Sequence, residues 1–135
     1  MRDPLREAAR WVRQAEADLG AARLLVDGFA ALSCFHTQQA AEKALKAILH
    51  AAGERVVLGH ALAELGAAVE AHDPSFAKLR ADAAKLDRYY VPTRYPNGLP
   101  EGGDPMQAFD AADARAAIAT AEPVLTHAKG FIADV

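Results

Sequence analysis

The stretch DRYYVPTRYPNGLPEGGDP, Asp87 to Pro105, holds all three tyrosines of the chain, two arginines, four of the seven prolines and three of the nine glycines. A guanidinium binds phosphate or carboxylate through two parallel N–H groups, and a tyrosine offers a stacking face with a hydroxyl at its edge. Together these groups suit a nucleotide or a partner protein. Val91-Pro92 and Tyr95-Pro96 restrict the backbone to extended conformations, so Arg94 and Tyr95 are held outward with little entropy left to lose on binding. Asn97-Gly98 supplies a turn. The competing reading is packing: tyrosines at a helix end cover the rim of a bundle, and Arg88 pairs with Asp87 or Glu101. No glycine-rich phosphate loop accompanies the stretch.

A second polar group sits upstream. His36, Gln39, Lys43, Lys46 and His50 are spaced 3-4-3-4, with Gln38 and Glu42 beside them and Glu42 four residues before Lys46, the favourable order for a helix pair. This stripe reads either as a solvated face or as a groove wall offering cations and amides to an anion. The five histidines never fall at i, i+4 and none joins a carboxylate in a zinc-binding spacing, so no metal is expected. Cys34 and His36 point to different helix faces, which argues against a Cys–His nucleophile. Cys34, the single cysteine, excludes an internal disulfide and fits a reducing cytoplasm, buried and inert.

The elements that must position these groups are helical. Apolar residues at Leu5, Ala9, Val12, Ala15, Leu19, Ala22 and Val26 mark a first long helix, with Asp3 as N-cap, Pro4 in the first turn and a positive-φ stop at Gly28. A second, antiparallel helix carries Leu32, Phe35, Ala41, Leu45, Ile48 and Ala52 inward to Gly53, with Ala40, Ala44 and Ala47 as a strip for close helix approach. A third helix runs from about His60 to Ala71. A fourth, capped by Asp73 or Ser75, turns Phe76, Leu79, Ala83 and Leu86 inward and ends near Tyr90. Helix restarts at Asp104-Pro105 with Met106, Phe109, Ala112, Ala116 and Ala119 inward, until Pro123 bends or breaks it. The fold class is all-α, an antiparallel up-and-down bundle of about five helices forming one domain over residues 1–135.

Composition sets outer bounds. The chain has 135 residues, 52% of them apolar, with a formal charge of −3 and a pI near 5.9. That balance argues against a domain that binds duplex DNA by neutralising its phosphates. Charges interrupt every apolar run before it reaches membrane-spanning length, and Met1-Arg2-Asp3-Pro4 lacks an apolar leader, so a cytoplasmic protein is expected.

Several segments taken together resemble a known family: Trp11, Ala17-Asp18-Leu19, the run FHTQQAAEKALKA from Phe35, His60-Ala61-Leu62 through Leu65, LDRYY from Leu86 and TRYPN from Thr93. They look like the HEPN domain, the higher-eukaryote and prokaryote nucleotide-binding family, in order and over nearly the whole chain. The resemblance implies a helical bundle, usually a homodimer, related to the substrate-binding C-terminal domain of kanamycin nucleotidyltransferase. It also implies a separately encoded minimal nucleotidyltransferase as partner, in a toxin–antitoxin-like pair, with no cofactor. Under it, Arg94, Tyr95, Tyr90 and Arg88 are the expected ligand contacts, with Lys43 and His36 lining the same groove. Many members are metal-independent ribonucleases carrying Arg, four to six residues, then His. Arg55 and His60 fit that spacing but lie before the third helix, whereas the family's pair belongs to a later one. There Arg80, Arg88 and Arg94 have no histidine in register. A non-catalytic module is therefore the first expectation, with a ribonuclease or a purely structural interaction module as alternatives.

Overall fold

A computed structural model describes residues 3–133, and every described element is helical. Six α-helices, α1 (Pro4–Leu25), α2 (Ala30–Ala51), α3 (Leu62–His72), α4 (Ala77–Ala84), α5 (Pro105–Ala108) and α6 (Ala111–Ala133), are joined by turns, several of them 3₁₀. All but α5 are long enough to pack as bundle members. α1 starts as the sequence dictates: the Asp3 carboxylate accepts from the N–H groups of Leu5 and Arg6, with Pro4 in the first turn.

α2 is the central element, packed against α1, α3 and α6. The Ser33 hydroxyl donates to the Ala22 carbonyl near one end and Lys43 meets Asp18 further along, which fixes α1 and α2 antiparallel. Alanine dominates the contacts. Ala8, Ala15 and Ala22 of α1, Ala40, Ala44 and Ala47 of α2, and Ala114, Ala117, Ala121 and Ala128 of α6 are all buried. Side chains this short let helix axes come close, and the larger Leu19, Leu45, Ile48, Leu62, Phe76 and Leu86 fill the remaining space.

Several sequence expectations are corrected by the structure. Gly28 does not have positive φ; α1 ends at Leu25 and a turn carries the chain round, while Gly53 (φ 106) does close α2 in the left-handed region. Leu32 faces outward and Phe35 lies at the edge of the core, because α2 is buried nearly all round from Thr37 onward and its inward face cannot be read as one stripe. The restart at Asp104-Pro105 yields only the four residues of α5. α6 begins afresh after Asp110, where Asp110 and Asp113 accept from each other's backbone N–H at 2.9 Å.

That new start shifts the buried face of α6. Ala116, Ala119 and Met106 are exposed and Ala112 is not part of the core, whereas Ala114, Ala117, Ile118, Ala121, Val124 and Leu125 point inward. α6 also continues through Pro123 without a break. Pro123 and Ala119, whose carbonyl loses its usual donor, both lie on the exposed face, where the carbonyl is open to solvent rather than buried without a partner.

Candidate functional site

The Asp87–Pro105 stretch leaves α4 through a 3₁₀ turn, Lys85–Tyr89, and is tied down before it opens. Asp87 reaches back to α3, accepting from Leu62 N–H at 2.6 Å and Ala63 N–H at 3.1 Å. It therefore caps a helix that has no side-chain cap of its own. The buried Thr93 hydroxyl donates to the Tyr89 carbonyl and Arg94 Nε donates to the Tyr90 carbonyl at 2.9 Å. The loop is thereby folded back on the turn that precedes it.

The result is an arginine set among aromatic rings. The Arg94 guanidinium carbon lies 4.3 Å from the Phe35 ring centroid, 4.7 Å from Tyr90 and 5.1 Å from Tyr95. Nε is used; among the described residues neither terminal nitrogen meets an acceptor. Tyr95 is half exposed, at 51%. Arg94 and Thr93 also border a cavity of about 600 Å³ walled by Phe29, Leu32, Met106 and Phe109, a size that accepts a small organic ligand.

Tyr90 links this group to the polar stripe of α2. Its ring stacks on His60, with centroids 5.1 Å apart and planes 19° apart. His60 Nδ1 is 3.2 Å from Glu42 Oε2, which also meets Lys46 Nζ at 3.2 Å, and Gln38 Nε2 donates to Glu42 Oε1 at 3.3 Å. Gln38, Glu42 and Lys46 are buried, so this part of the stripe is neither a solvated face nor an open groove wall. It is an interior polar seam that the crossing from α2 to α3 covers. In the neutral ring a carboxylate at Nδ1 favours the Nδ1–H tautomer, which leaves Nε2 as the acceptor on a side chain that is 58% exposed.

Of the expected contacts, Arg94, Tyr90 and Tyr95 come together. Arg88 turns aside: its guanidinium donates to the Tyr89 hydroxyl at 2.9 Å and lies over the Tyr89 ring, which packs on Phe109. Burial pushes the Tyr89 phenol up despite that hydrogen bond. Lys43 pairs with Asp18 at 2.6 Å and borders a separate cavity of about 550 Å³ along α1, lined by Glu7, Arg10, Trp11, Arg13 and Gln14. His36 follows Phe35 on α2 and meets it edge-on at 5.5 Å; its Nδ1 is buried without a partner. Among the described residues no hydrogen bond or ring contact joins Lys43 or His36 to Arg94.

Phe35, His60 and Glu42 join the site from outside the loop, where the loop sequence gives no hint of them. The Gln38, Glu42, Lys46 spacing of four is the available signal, but nothing local says that a residue eighteen positions on closes over it. Arg55, the formal partner of His60, is exposed in the crossing.

The HEPN domain model matches residues 8–131. The crystal structure of TT1696 from Thermus thermophilus superposes with a TM-score of 0.85 at 34% identity, covering 92% of this chain and 97% of that one. An archaeal HEPN homologue, ST0689, gives a TM-score of 0.74 at 35% identity, covering 93% of this chain and 97% of its own. No curated protein matches. With the family model spanning nearly the whole bundle, and with solved relatives agreeing in both sequence and fold, the chain belongs to the HEPN domain family.

Proposed function

We propose that the protein is a non-catalytic HEPN module that binds a nucleotide or another phosphorylated substrate at Arg94 and works with a separately encoded minimal nucleotidyltransferase, in a toxin–antitoxin-like pair. The observation that carries the binding half is the Arg94 guanidinium, oriented by Phe35, Tyr90 and Tyr95 with both terminal nitrogens unpartnered among the described residues. A planar donor pair of that kind takes a phosphate in bidentate fashion, and the exposed Tyr95 ring gives a base a face to stack on. The neighbouring cavity has room for the remainder of such a ligand.

Isothermal titration with ATP, GTP and an oligoribonucleotide tests this. Saturable binding by the folded wild type that is lost in Arg94→Ala is the expected result. Affinity unchanged in the variant, or no heat with any of the three, removes the site. The nucleotidyltransferase half rests on family membership and is tested by gene order and by co-purification with the product of any adjacent small nucleotidyltransferase gene.

One observation favours a second reading, metal-independent ribonuclease. His60, held by the buried Glu42 and stacked on Tyr90, whose ring also meets the Arg94 guanidinium, supplies a general base for a ribose 2′-hydroxyl, with Arg94 the cation on the far side of that ring for the phosphorane charge. Cleavage of single-stranded RNA abolished by His60→Ala is the outcome that would establish it over simple binding.

A further inference from the structure

The cavity of about 600 Å³ beside Arg94 lies between the turn from α1 to α2 and the segment that leads through α5 into α6. Its walls are apolar: Phe29 and Leu32 at the start of α2, Met106 on α5, and Phe109, whose ring is set edge-on against Tyr89. Phe29, Leu32 and Met106 remain exposed, at 54%, 40% and 73%, so the fold leaves large apolar side chains open around a hollow of ligand size. The charges at its border are unequal. Arg94 is the only cation among the described residues that line it, whereas three carboxylates, Asp27, Asp104 and Asp110, share the border. Asp104 and Asp110 are fixed there because each caps a helix start, accepting from the Gln107 N–H at 3.0 Å and the Asp113 N–H at 2.9 Å. Asp27 is exposed, with Arg115 as its partner 3.8 Å away.

We propose that Arg94 and this cavity together select a phosphate monoester carrying one apolar organic group, aromatic or heterocyclic, over a nucleoside triphosphate. This selectivity rests on Arg94 holding a phosphate, as proposed for the site, and narrows what that phosphate carries. A ligand whose organic part lies among Phe29, Leu32, Met106 and Phe109 presents to Arg94 the phosphate attached to that part, and one phosphate fills one guanidinium fork. Each further phosphate brings negative charge to a border where three carboxylates face one cation, and among the described residues no second cation lines the cavity to receive it. A polyphosphate site is built the other way, with several cations or backbone N–H groups converging on the chain of phosphates. Inorganic phosphate meets Arg94 but leaves the apolar walls in water, so the organic group is a necessary part of the affinity.

Titration calorimetry at constant ionic strength and without divalent cations tests this with AMP, ADP and ATP, which share one organic group, and with phenyl phosphate against inorganic phosphate. AMP is expected to bind several-fold tighter than ATP, with ADP between them, and phenyl phosphate tighter than inorganic phosphate, all weakened by Arg94→Ala. Two variants locate the selectivity. Asp27→Asn, Asp104→Asn and Asp110→Asn combined keep the helix caps, since asparagine caps as well as aspartate, and are expected to raise ATP affinity and bring the AMP to ATP ratio towards one. Phe29→Ala, at an exposed position, is expected to weaken phenyl phosphate and leave inorganic phosphate unchanged. ATP bound by the wild type as tightly as AMP, inorganic phosphate bound as tightly as phenyl phosphate, or a ratio that the asparagine variant leaves unchanged overturns the proposal while a phosphate site at Arg94 stands. Binding untouched by Arg94→Ala, or no saturable binding by any of the five compounds, removes the Arg94 site itself and the proposal with it.

Discussion

Arg94 and His60 both lie against Tyr90, and the difference between them is what each can still do. Arg94 has two donor nitrogens left over; His60 has one acceptor nitrogen and a buried carboxylate behind it. Arg94→Lys separates charge from shape: it keeps the cation but loses the planar fork and the stacking, so nucleotide affinity is expected to fall about tenfold by titration rather than vanish. Cys34 illustrates the opposite extreme. Burial, aided by Asp113, pushes its thiol up to about 12, so alkylation at roughly pH 8 should be negligible in the folded protein and rapid once denaturant is added. Asp73 shows how a single residue can carry pH dependence. Burial works against its carboxylate, but hydrogen bonds from Ser75 and from His127, 2.6 Å away on α6, outweigh it and hold it below the ordinary value of 3.8. A carboxylate lowered by folding contributes stability that is present above its unfolded value and is lost as pH falls through the folded one. The melting temperature of Asp73→Asn should therefore lie below wild type near neutrality, with the gap closing as pH drops below 3.8.

At the scale of the element, the ends of helices decide more than their middles. α3 has no cap in its own sequence and takes one from Asp87, twenty-five residues away, in the loop that carries the candidate site. Asp87→Ala is expected to cost about 1–2 kcal/mol in chemical denaturation. It should also speed amide exchange at Leu62 and Ala63 ahead of the rest of the bundle. The same logic explains what the sequence can and cannot disclose. Asp3-Pro4 and Gly53 are local signals, and the ends they set are legible. The reciprocal Asp110–Asp113 cap is equally local but stands behind the more conspicuous Asp104-Pro105, and one wrong start turns the whole of α6 to the wrong face. The Arg94, Tyr90 and Tyr95 grouping is legible because two X-Pro steps confine the few residues that separate them. Arg88, one residue from Tyr89, is not separable from the others, because which side of a 3₁₀ turn faces the core depends on Phe109, beside the start of α6.

The whole molecule is organised around a polar seam inside an alanine-rich bundle. α2 contributes Gln38, Glu42 and Lys46 to its interior, Trp11 lies on Lys46 and stacks on His50, and His60 closes the far end. A buried ion pair of this kind is weak evidence of stability in itself, since desolvating both charges offsets much of their attraction. Its removal in halves and as a whole should therefore give different results. Lys46→Met removes the buried cation and leaves the Glu42 carboxylate with Gln38 and His60 alone, and is expected to cost up to about 3–5 kcal/mol. Glu42→Leu with Lys46→Met together should cost markedly less than the two single changes summed, measured as a double-mutant cycle by urea denaturation. The functional consequence runs the other way. The double variant has lost the carboxylate that orients His60 and the amide-to-carboxylate bond that helps Gln38 hold the crossing, so it should fold while binding ligand at Arg94 less well through a loosened Tyr90. If instead the double variant bound nucleotide as wild type does, the seam would be a feature of packing alone, and Arg94 with its aromatic neighbours would be sufficient without it.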